Sequence, residues 1–379
     1  KHRENKALIN YGASVSHGLI RSQVMGGVEL SSFSSESEHD IAKLVQLPGW
    51  TNEKSTPQQL NSMKQIVAQE IDNGGLGIGY HLVVTPGSDI AEMLEFYELS
   101  AAKNVTNFIH IRSLGQVTPL QSGHEIIHAA KTTGASIHVV HLNSSGLWES
   151  KELLDILYTA KNEGLDISTE VYPYDAAPTN FRDPRITRSG ALALFKIGYN
   201  DLELMSNGER LTEESFNYYL KNKPDAGIIA HIMDEKNIAA AIAHPMVMIA
   251  SDSVDLEDGK GHPRGAATYA RLLGHYVRQQ KLLSLMSALK KITLLPAQRL
   301  EKFAPQMKLR GRLQEGMIAD ITIFDAVKVA DKASYSEASI PSAGIAHVIV
   351  NGQAVLSDYK LQDNNYPGQA IRSNTSIIQ

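Results

Sequence analysis

Residues 107–113, NFIHIRS, and 136–142, SIHVVHL, decide how this chain is read. Each is a short run of β-branched or apolar side chains that ends in polar ones, as expected of a strand whose carboxyl end opens onto a site. Period-two alternation puts Phe108, His110 and Arg112 on one face of the first run and Ile109 and Ile111 on the other, an aliphatic face suited to packing under helices. In the second run the same count puts Val139 with His141 and leaves His138 opposite, where a packed or solvated histidine is expected. Similar runs recur along the chain: GGLGIGY (74–80), LDISTEVYPY (165–174), AGIIAHI (226–232) and PMVMIASDS (245–253). Between them, SDIAEMLEFYELSAAKN and SGHEIIHAAKTTG repeat apolar residues at helical spacing and close on Asn or Gly. Strands alternating with helices predict a parallel sheet, either open and doubly wound or closed into a barrel.

The barrel is favoured. No G-x-G-x-x-G opens a helix after a strand and no P-loop occurs, so the nucleotide-binding alternative lacks its signature; GGLGIG reads as the strand itself. Polar residues gather instead at the carboxyl ends of the runs: His110 and Arg112, His141 and Asn143, Tyr172 and Tyr174, His231, Asp252. In a (β/α)8 barrel those ends form the active-site face. The barrel is assigned to residues 1–305. Residues 175–225 carry little strand pattern and read as an excursion that covers its mouth. After Arg264 come two helix-like stretches, then GRLQEGMIADITIFDA (311–326) and HVIVNGQAVLSD (347–358), where Asn-Gly between alternating apolar runs signals a hairpin. A small β domain is therefore expected over 306–379.

Bulk properties narrow the function. Hydrophobic residues are 42% and charged residues 20% of the 379, ordinary usage for a compact globular chain. A net charge of −5 with no Lys/Arg-rich block argues against general affinity for nucleic-acid phosphates. No apolar run is long enough to be read as a membrane-spanning helix, and KHRENKALINYG lacks the apolar stretch of a signal peptide. The compartment stays open between cytoplasm and periplasm. With no cysteine, any metal must be held by His, Asp or Glu.

Two histidines at successive strand ends and a strand-terminal Asp252 supply two imidazoles and a carboxylate, a donor set that suits hydrolytic zinc. Zinc lowers the pKa of bound water from about 15.7 to about 7, which makes it a nucleophile at neutral pH. Asp252 is placed to ligate metal and to carry the water's proton to a leaving amine.

In order along the chain, NYGASVSHGLIRSQVMG, GGLGIGYHLVVTPG, HIRSLG, HVVHLNSSG, STEVYPY, ASDS…GHPRGAATYARLLGHYVRQQ, LPAQRLEKFAP…RGRLQEGMIADITIFDA and HVIVNGQAV resemble the N-acyl-D-amino-acid deacylase branch of the amidohydrolase superfamily. The resemblance runs from about residue 8 to 372, and HLNSS, GIGY and SNGERLT look closer to N-acyl-D-glutamate deacylases than to general D-aminoacylases. It implies an amidohydrolase barrel and hydrolysis of an N-acyl-D-amino acid, a small-molecule substrate, with one or two Zn2+. His110 and His141 are implied metal ligands from the fifth and sixth barrel strands, and Asp252, ending the eighth, the catalytic acid/base. Arg264, in GHPRG, is an implied partner for a substrate carboxylate, because a guanidinium grips both oxygens. Arg112 is a second carboxylate contact or a supporting residue. One of Tyr172 and Tyr174 donates to the scissile carbonyl, or both pack. Asn143 stands where the general D-aminoacylases have Lys and is carried as substrate-facing. His17 either lines the pocket or is structural; His231 is read as structural.

Family members begin with a short β segment and a first strand bearing His-x-His, then a Cys or acidic ligand. No His-x-His occurs in this sequence, and His2 is the one histidine upstream of the matching region. The resemblance begins at the third strand, so about a hundred residues and two of eight strands are expected from a segment outside this sequence, a separate chain being one form of it. Two further readings are carried: a non-catalytic scaffold or binding protein on the same fold, and a hydrolase of a cyclic amide or dipeptide.

Overall fold

The computed structural model describes residues 6–28, 49–112, 117–253, 256 and 259–373; His2 and part of HIRSLG lie outside them. Its centre is a parallel sheet of β1 (Val15–Ser16), β2 (Gly77–His81), β3 (Thr106–His110), β4 (Ser136–Val139) and β5 (Ile167–Val171), each paired with the next. The chain then makes a three-stranded antiparallel sheet from β6 (Ala176–Asn180), β7 (Leu202–Leu204) and β8 (Gly227–His231), in the order β6-β8-β7. It returns to the parallel sheet as β9 (Val247–Ile249), alongside β5. Strand order in the parallel sheet follows chain order with no reversal. A doubly wound sheet reverses at a switch point, so this is the barrel arrangement, here with six strands among the described residues.

Alternation sorts each strand's side chains. Ile78, Ile109, Ile137, Val139, Ile167, Val171 and Val247 face outward into one core with Met63, Val67, Met93, Phe96, Ile126, Leu153, Leu157 and Ile238 of the surrounding helices, nearly all fully buried. Burying each such side chain contributes about 1.5–3 kcal/mol, and this layer holds the strands together. Phe108, His138, Glu170 and Met248 face the other way and line a cavity inside the sheet. Gly77 is required where β2 meets β3, because a Cβ there would collide with the Thr106 carbonyl. The helices Pro57–Asp72 and Pro119–Thr133 start at capping boxes, Thr56 with Gln59 and Thr118 with Gln121, each with proline at the first helical turn. Such caps contribute about 1 kcal/mol apiece and set where the helices begin.

Two expectations change. AGIIAHI forms β8, the centre of the antiparallel sheet, rather than a barrel strand. Its Ile228 and Ala230 pack on Phe181, Phe195, Leu202 and Phe216, a separate core over the barrel mouth. Residues 175–225, read as poor in strand, contain β6 and β7. The sequence of β6, AAPTN, has weak strand propensity, and its Pro178 is tolerated because β6 is an edge.

The expected hairpin is present. A four-stranded antiparallel sheet runs β10 (Ile321–Phe324), β11 (Ile345–Val350), β12 (Gln353–Ser357) and β13 (Lys360–Leu361), with Asn351 and Gly352 both at positive φ between β11 and β12. Asn10 and Tyr11 bond to this region through Asp320, Gln369 and Ile371. Among the described residues no helix is long and apolar enough to cross a membrane.

Candidate active site

At the carboxyl ends of the parallel strands one cavity is lined by His81, His110, His141, Ser144, Tyr172, Asp252 and Arg264, with Thr179 of β6 and Asp183, Arg185, Phe195 and Ile232 of the antiparallel sheet's connections above them. Residues scattered over 180 positions thus meet because βα units deliver every strand end to the same face.

His81 and His110 end β2 and β3 and are register partners, with ring centroids 4.4 Å apart. The His141 ring lies 4.5 Å from that of His110. His141 sits two residues past the end of β4 at φ 32°, in the left-handed region, and the Nδ1 of its ring is 3.1 Å from the hydroxyls of Ser144 and Ser145. Asp252, three residues past β9, is left-handed too, at φ 48°. Non-glycine residues in that region cost about 1–3 kcal/mol each, strain that clusters where function fixes a side chain.

Burial pushes the His110 imidazole well below its ordinary pKa, and the neighbouring His81, His141 and Arg185 push the same way. Burial, then Arg185 and His141, takes His81 down to about 3, and its Nε2 is buried with no hydrogen-bond partner. Both rings are therefore neutral nitrogen donors at physiological pH. Asp252 Oδ2 accepts from Arg264 Nη1 at 2.9 Å. Arg264 is buried, its guanidinium 4.6 Å above the Tyr172 ring and its Nε without a partner. The Tyr172 hydroxyl donates to the Ala176 carbonyl at 3.2 Å, and burial pushes it up to about 12. Overhead, desolvation pushes the Asp183 carboxyl up, but Arg185 and the Thr179 hydroxyl outweigh it and hold it below the usual range.

The structure thus brings together His110, His141, Asp252, Arg264 and Tyr172. It does not bring four others to the cavity. Arg112 turns into the helix layer, where Nε donates to both oxygens of Glu125 at 3.1 and 3.2 Å and Nη2 donates to the Ser88 carbonyl; β3 ends at His110, so alternation no longer governs a side chain two residues on. Asn143 is buried and mimics a peptide, donating to the Tyr172 carbonyl at 3.0 Å and accepting from the Tyr172 amide at 3.3 Å. Tyr174 packs beneath Arg271 and against His262. His17 lies outside the barrel between Tyr80 and Phe96, donating to Glu92 at 3.0 Å.

The face count on β4 also fails. Val139 faces the helices, while His138 points inward against Phe108, Ser168 and Glu170. His141 reaches the cavity through its left-handed backbone rather than by strand parity. His231, read as structural, stands clear of this cavity between Glu203 and Asp175.

Sequence reading missed His81, Asp183 and Arg185. Extending GGLGIGY by one residue would have found His81 at a strand end matching that of His110. Asp183 and Arg185 carry no comparable signal, because they lie in a short irregular connection. Among the described residues no group of three or more His, Cys, Asp or Glu is arranged to hold a metal ion. The donor chemistry still fits one: neutral imidazoles, one with an orphaned buried nitrogen, beside a carboxylate.

Residues 206–356 match the model of the Amidohydrolase family. The chain is 28% identical over 331 residues to an N-acyl-D-glutamate deacylase of Alcaligenes xylosoxydans xylosoxydans, covering 84% of this chain and 65% of that protein. It is 26% identical over 363 residues to a D-aminoacylase of the same organism, covering 94% of this chain and 69% of that one. The chain thus spans about two thirds of the length of these curated relatives. The crystal structure of N-acyl-D-glutamate deacylase from Bordetella bronchiseptica, complexed with zinc and a phosphonate mimic of the reaction's tetrahedral intermediate, superposes with a TM-score of 0.77 at 24% identity, over 96% of this chain and 72% of that one. That likeness establishes the shared barrel fold. Ordered motifs, matched family segment and curated relatives agree in what the chain is similar to: amidohydrolases, and among them the N-acyl-D-amino-acid deacylases.

Proposed function

We propose that the protein hydrolyses the amide bond of N-acyl-D-amino acids, releasing a carboxylate and the free D-amino acid, with N-acyl-D-glutamate or a similarly acidic compound preferred. The observation that carries this is the meeting of two histidines at successive strand ends, His110 and His141, with Asp252 and Arg264 in one cavity. Zinc held by His110, His141 and Asp252 would supply an activated water there. Hydrogen bonding of His141 Nδ1 to a serine hydroxyl leaves Nε2 as its ligating atom. Asp252 takes the water's proton and passes it to the leaving nitrogen. Arg264 binds the substrate's α-carboxylate, which replaces Asp252 on the guanidinium and frees Oδ2 for that transfer. Arg185 also lines the cavity, where it is paired with Asp183 at 2.5 Å. The zinc and the acidic deacylase substrate named for the relatives support the same reading.

The test is metal analysis together with turnover of N-acetyl-D-glutamate and its L-isomer. Zinc in the protein and turnover of the D-isomer alone support the proposal; a zinc-loaded protein inert toward N-acyl-D-amino acids overturns it. One observation favours a second reading, a binding protein on the same fold: Asp252 is engaged by Arg264, and the described residues hold no three-ligand set. Saturable binding of N-acetyl-D-glutamate without turnover would establish that alternative.

A further inference from the structure

The helix Arg264–Arg271 carries an arginine at each end, and both lie over tyrosines of the segment that leaves β5. They are seven residues apart, about two helical turns, so the two side chains project from one face. The Arg264 guanidinium is 4.6 Å from the centre of the Tyr172 ring, and that of Arg271 is 4.9 Å from the centre of the Tyr174 ring. Between the two rings, Arg271 Nε donates to the Pro173 carbonyl at 2.6 Å, while its Nη1 donates to Asp331 Oδ2 at 3.1 Å. Asp331 belongs to the connection between β10 and β11. That connection is drawn against the continuation of the same helix, which is π-wound over Leu272–Gln279. A Cβ on Gly274 would collide with the Val329 carbonyl, and Arg278 donates to the Ala326 and Val329 carbonyls at 3.1 and 2.6 Å. Wide π turns of this kind recur at functional sites.

We propose that Arg271, braced by Asp331, is a positioning residue: it fixes the Tyr172–Tyr174 segment and, through the Tyr172 ring, the guanidinium of Arg264. The proposal rests on the deacylase reading above only for the ligand, a substrate carboxylate on Arg264. Within the Arg264 guanidinium, Nε is buried without a partner and Nη1 is on Asp252, the contact that a substrate carboxylate displaces on the function proposed above. Once that pair opens, the face of Tyr172 is what holds the guanidinium in place. The ring is set from two sides. Asn143 holds the Tyr172 backbone from the β4 side, and Arg271 holds the carbonyl of the next residue from the helix side. Arg271 itself does not line the cavity, so its influence there runs through this relay. A planar guanidinium can stack on one group and bond two others at once, which the point charge of a lysine cannot.

Two readouts on the full chain test the relay: turnover of N-acetyl-D-glutamate, and labelling of Arg264 by phenylglyoxal followed by peptide mass spectrometry. Arg271→Gln raises KM about tenfold and leaves kcat within a factor of about two. Phenylglyoxal reaches the buried Arg264 slowly in the wild type and labels it several-fold faster in the variant. Asp331→Asn moves both readouts the same way by less, and it carries the test should Arg271→Gln fold poorly. Arg278→Gln is the control. It frees the same connection from the same helix without touching the Tyr172–Tyr174 segment, and it leaves KM and labelling at wild-type values. In an Arg264→Ala background, Arg271→Gln adds nothing to KM, because its effect runs through Arg264. An unchanged KM, or unchanged labelling of Arg264, in both Arg271→Gln and Asp331→Asn overturns the proposal, as does an equal response in Arg278→Gln or a further rise in KM in the double variant. A chain without turnover removes the deacylase reading, and the labelling rate of Arg264 then decides the positioning role by itself.

Discussion

Asp252 and Arg264 face each other across 2.9 Å, and substitution separates their roles. Asp252→Asn keeps the shape of the side chain but removes its ability to carry a proton. It lowers kcat about a thousandfold while circular dichroism stays that of the wild type; a variant retaining a tenth of wild-type turnover takes Asp252 out of the chemistry. Arg264→Ala removes the carboxylate partner and raises KM more than it lowers kcat, and an unchanged KM makes the arginine purely structural. Arg112 is the contrasting case. Its guanidinium ties the end of β3 to Glu125 and Ser88, so Arg112→Ala costs about 3 kcal/mol of stability by stranding a half-buried carboxylate, with KM for the remaining active fraction unchanged. A denaturation midpoint equal to wild type would sink that expectation. Arg264 opens the helix Arg264–Arg271, whereas Arg112 sits inside a strand-like run, which left its role open between substrate contact and support. What decides Arg112 is where regular strand geometry stops, and β3 stops at His110.

At the scale of elements, the helix His17–Gly26 is fastened to the helix Ile90–Ala102 by a buried cluster in which Glu92 accepts from His17, Arg21 and Ser55. Burial pushes the Glu92 carboxyl up, but the His17 and Ser55 hydrogen bonds and the Arg21 charge outweigh it and hold it at about 2. A carboxylate whose pKa is depressed on folding contributes stability that is full above its unfolded value, near 4.5, and is lost as pH falls toward 2. Urea midpoints should therefore drop between pH 4.5 and 2, and Glu92→Gln should start lower and fall less over that range. Equal slopes in the two proteins would refute the linkage. The sequence made some elements plain and hid others. Asn351-Gly352 between alternating runs announced the β11–β12 hairpin, because few residue pairs adopt two consecutive positive φ values. By contrast β6 and β7 were illegible: one is Ala-Ala-Pro-Thr-Asn, the other three residues long, and both exist because β8 offers them a buried partner. Long-range pairing of that kind leaves little local trace.

For the whole molecule, the parallel sheet, its helices and the gathering of polar residues at one face could be read from the βα rhythm. The antiparallel sheet over the mouth and the third histidine could not, the first for want of local pattern and the second because the run was cut at Tyr80. We propose the division anticipated from sequence, barrel to about residue 305 and a small β domain beyond it. If His110 and His141 hold zinc, adding the metal stabilises the folded chain by mass action and raises Tm by about 5 °C, and His110→Ala abolishes the shift. A wild-type Tm indifferent to zinc would leave the two rings without that role. The antiparallel sheet carries a last implication. Residues 175–233 leave after β5 and return to the barrel helix Glu235–Ala243, which leads into β5's immediate neighbour β9, so both ends of the insertion are anchored at nearby points on the barrel rim. A cap hung from one hinge line can be traded for another of different length without altering any strand pairing beneath it. On the function proposed above, substrate range in such a design is inherited through the cap, and the hydrolytic machinery passes on separately.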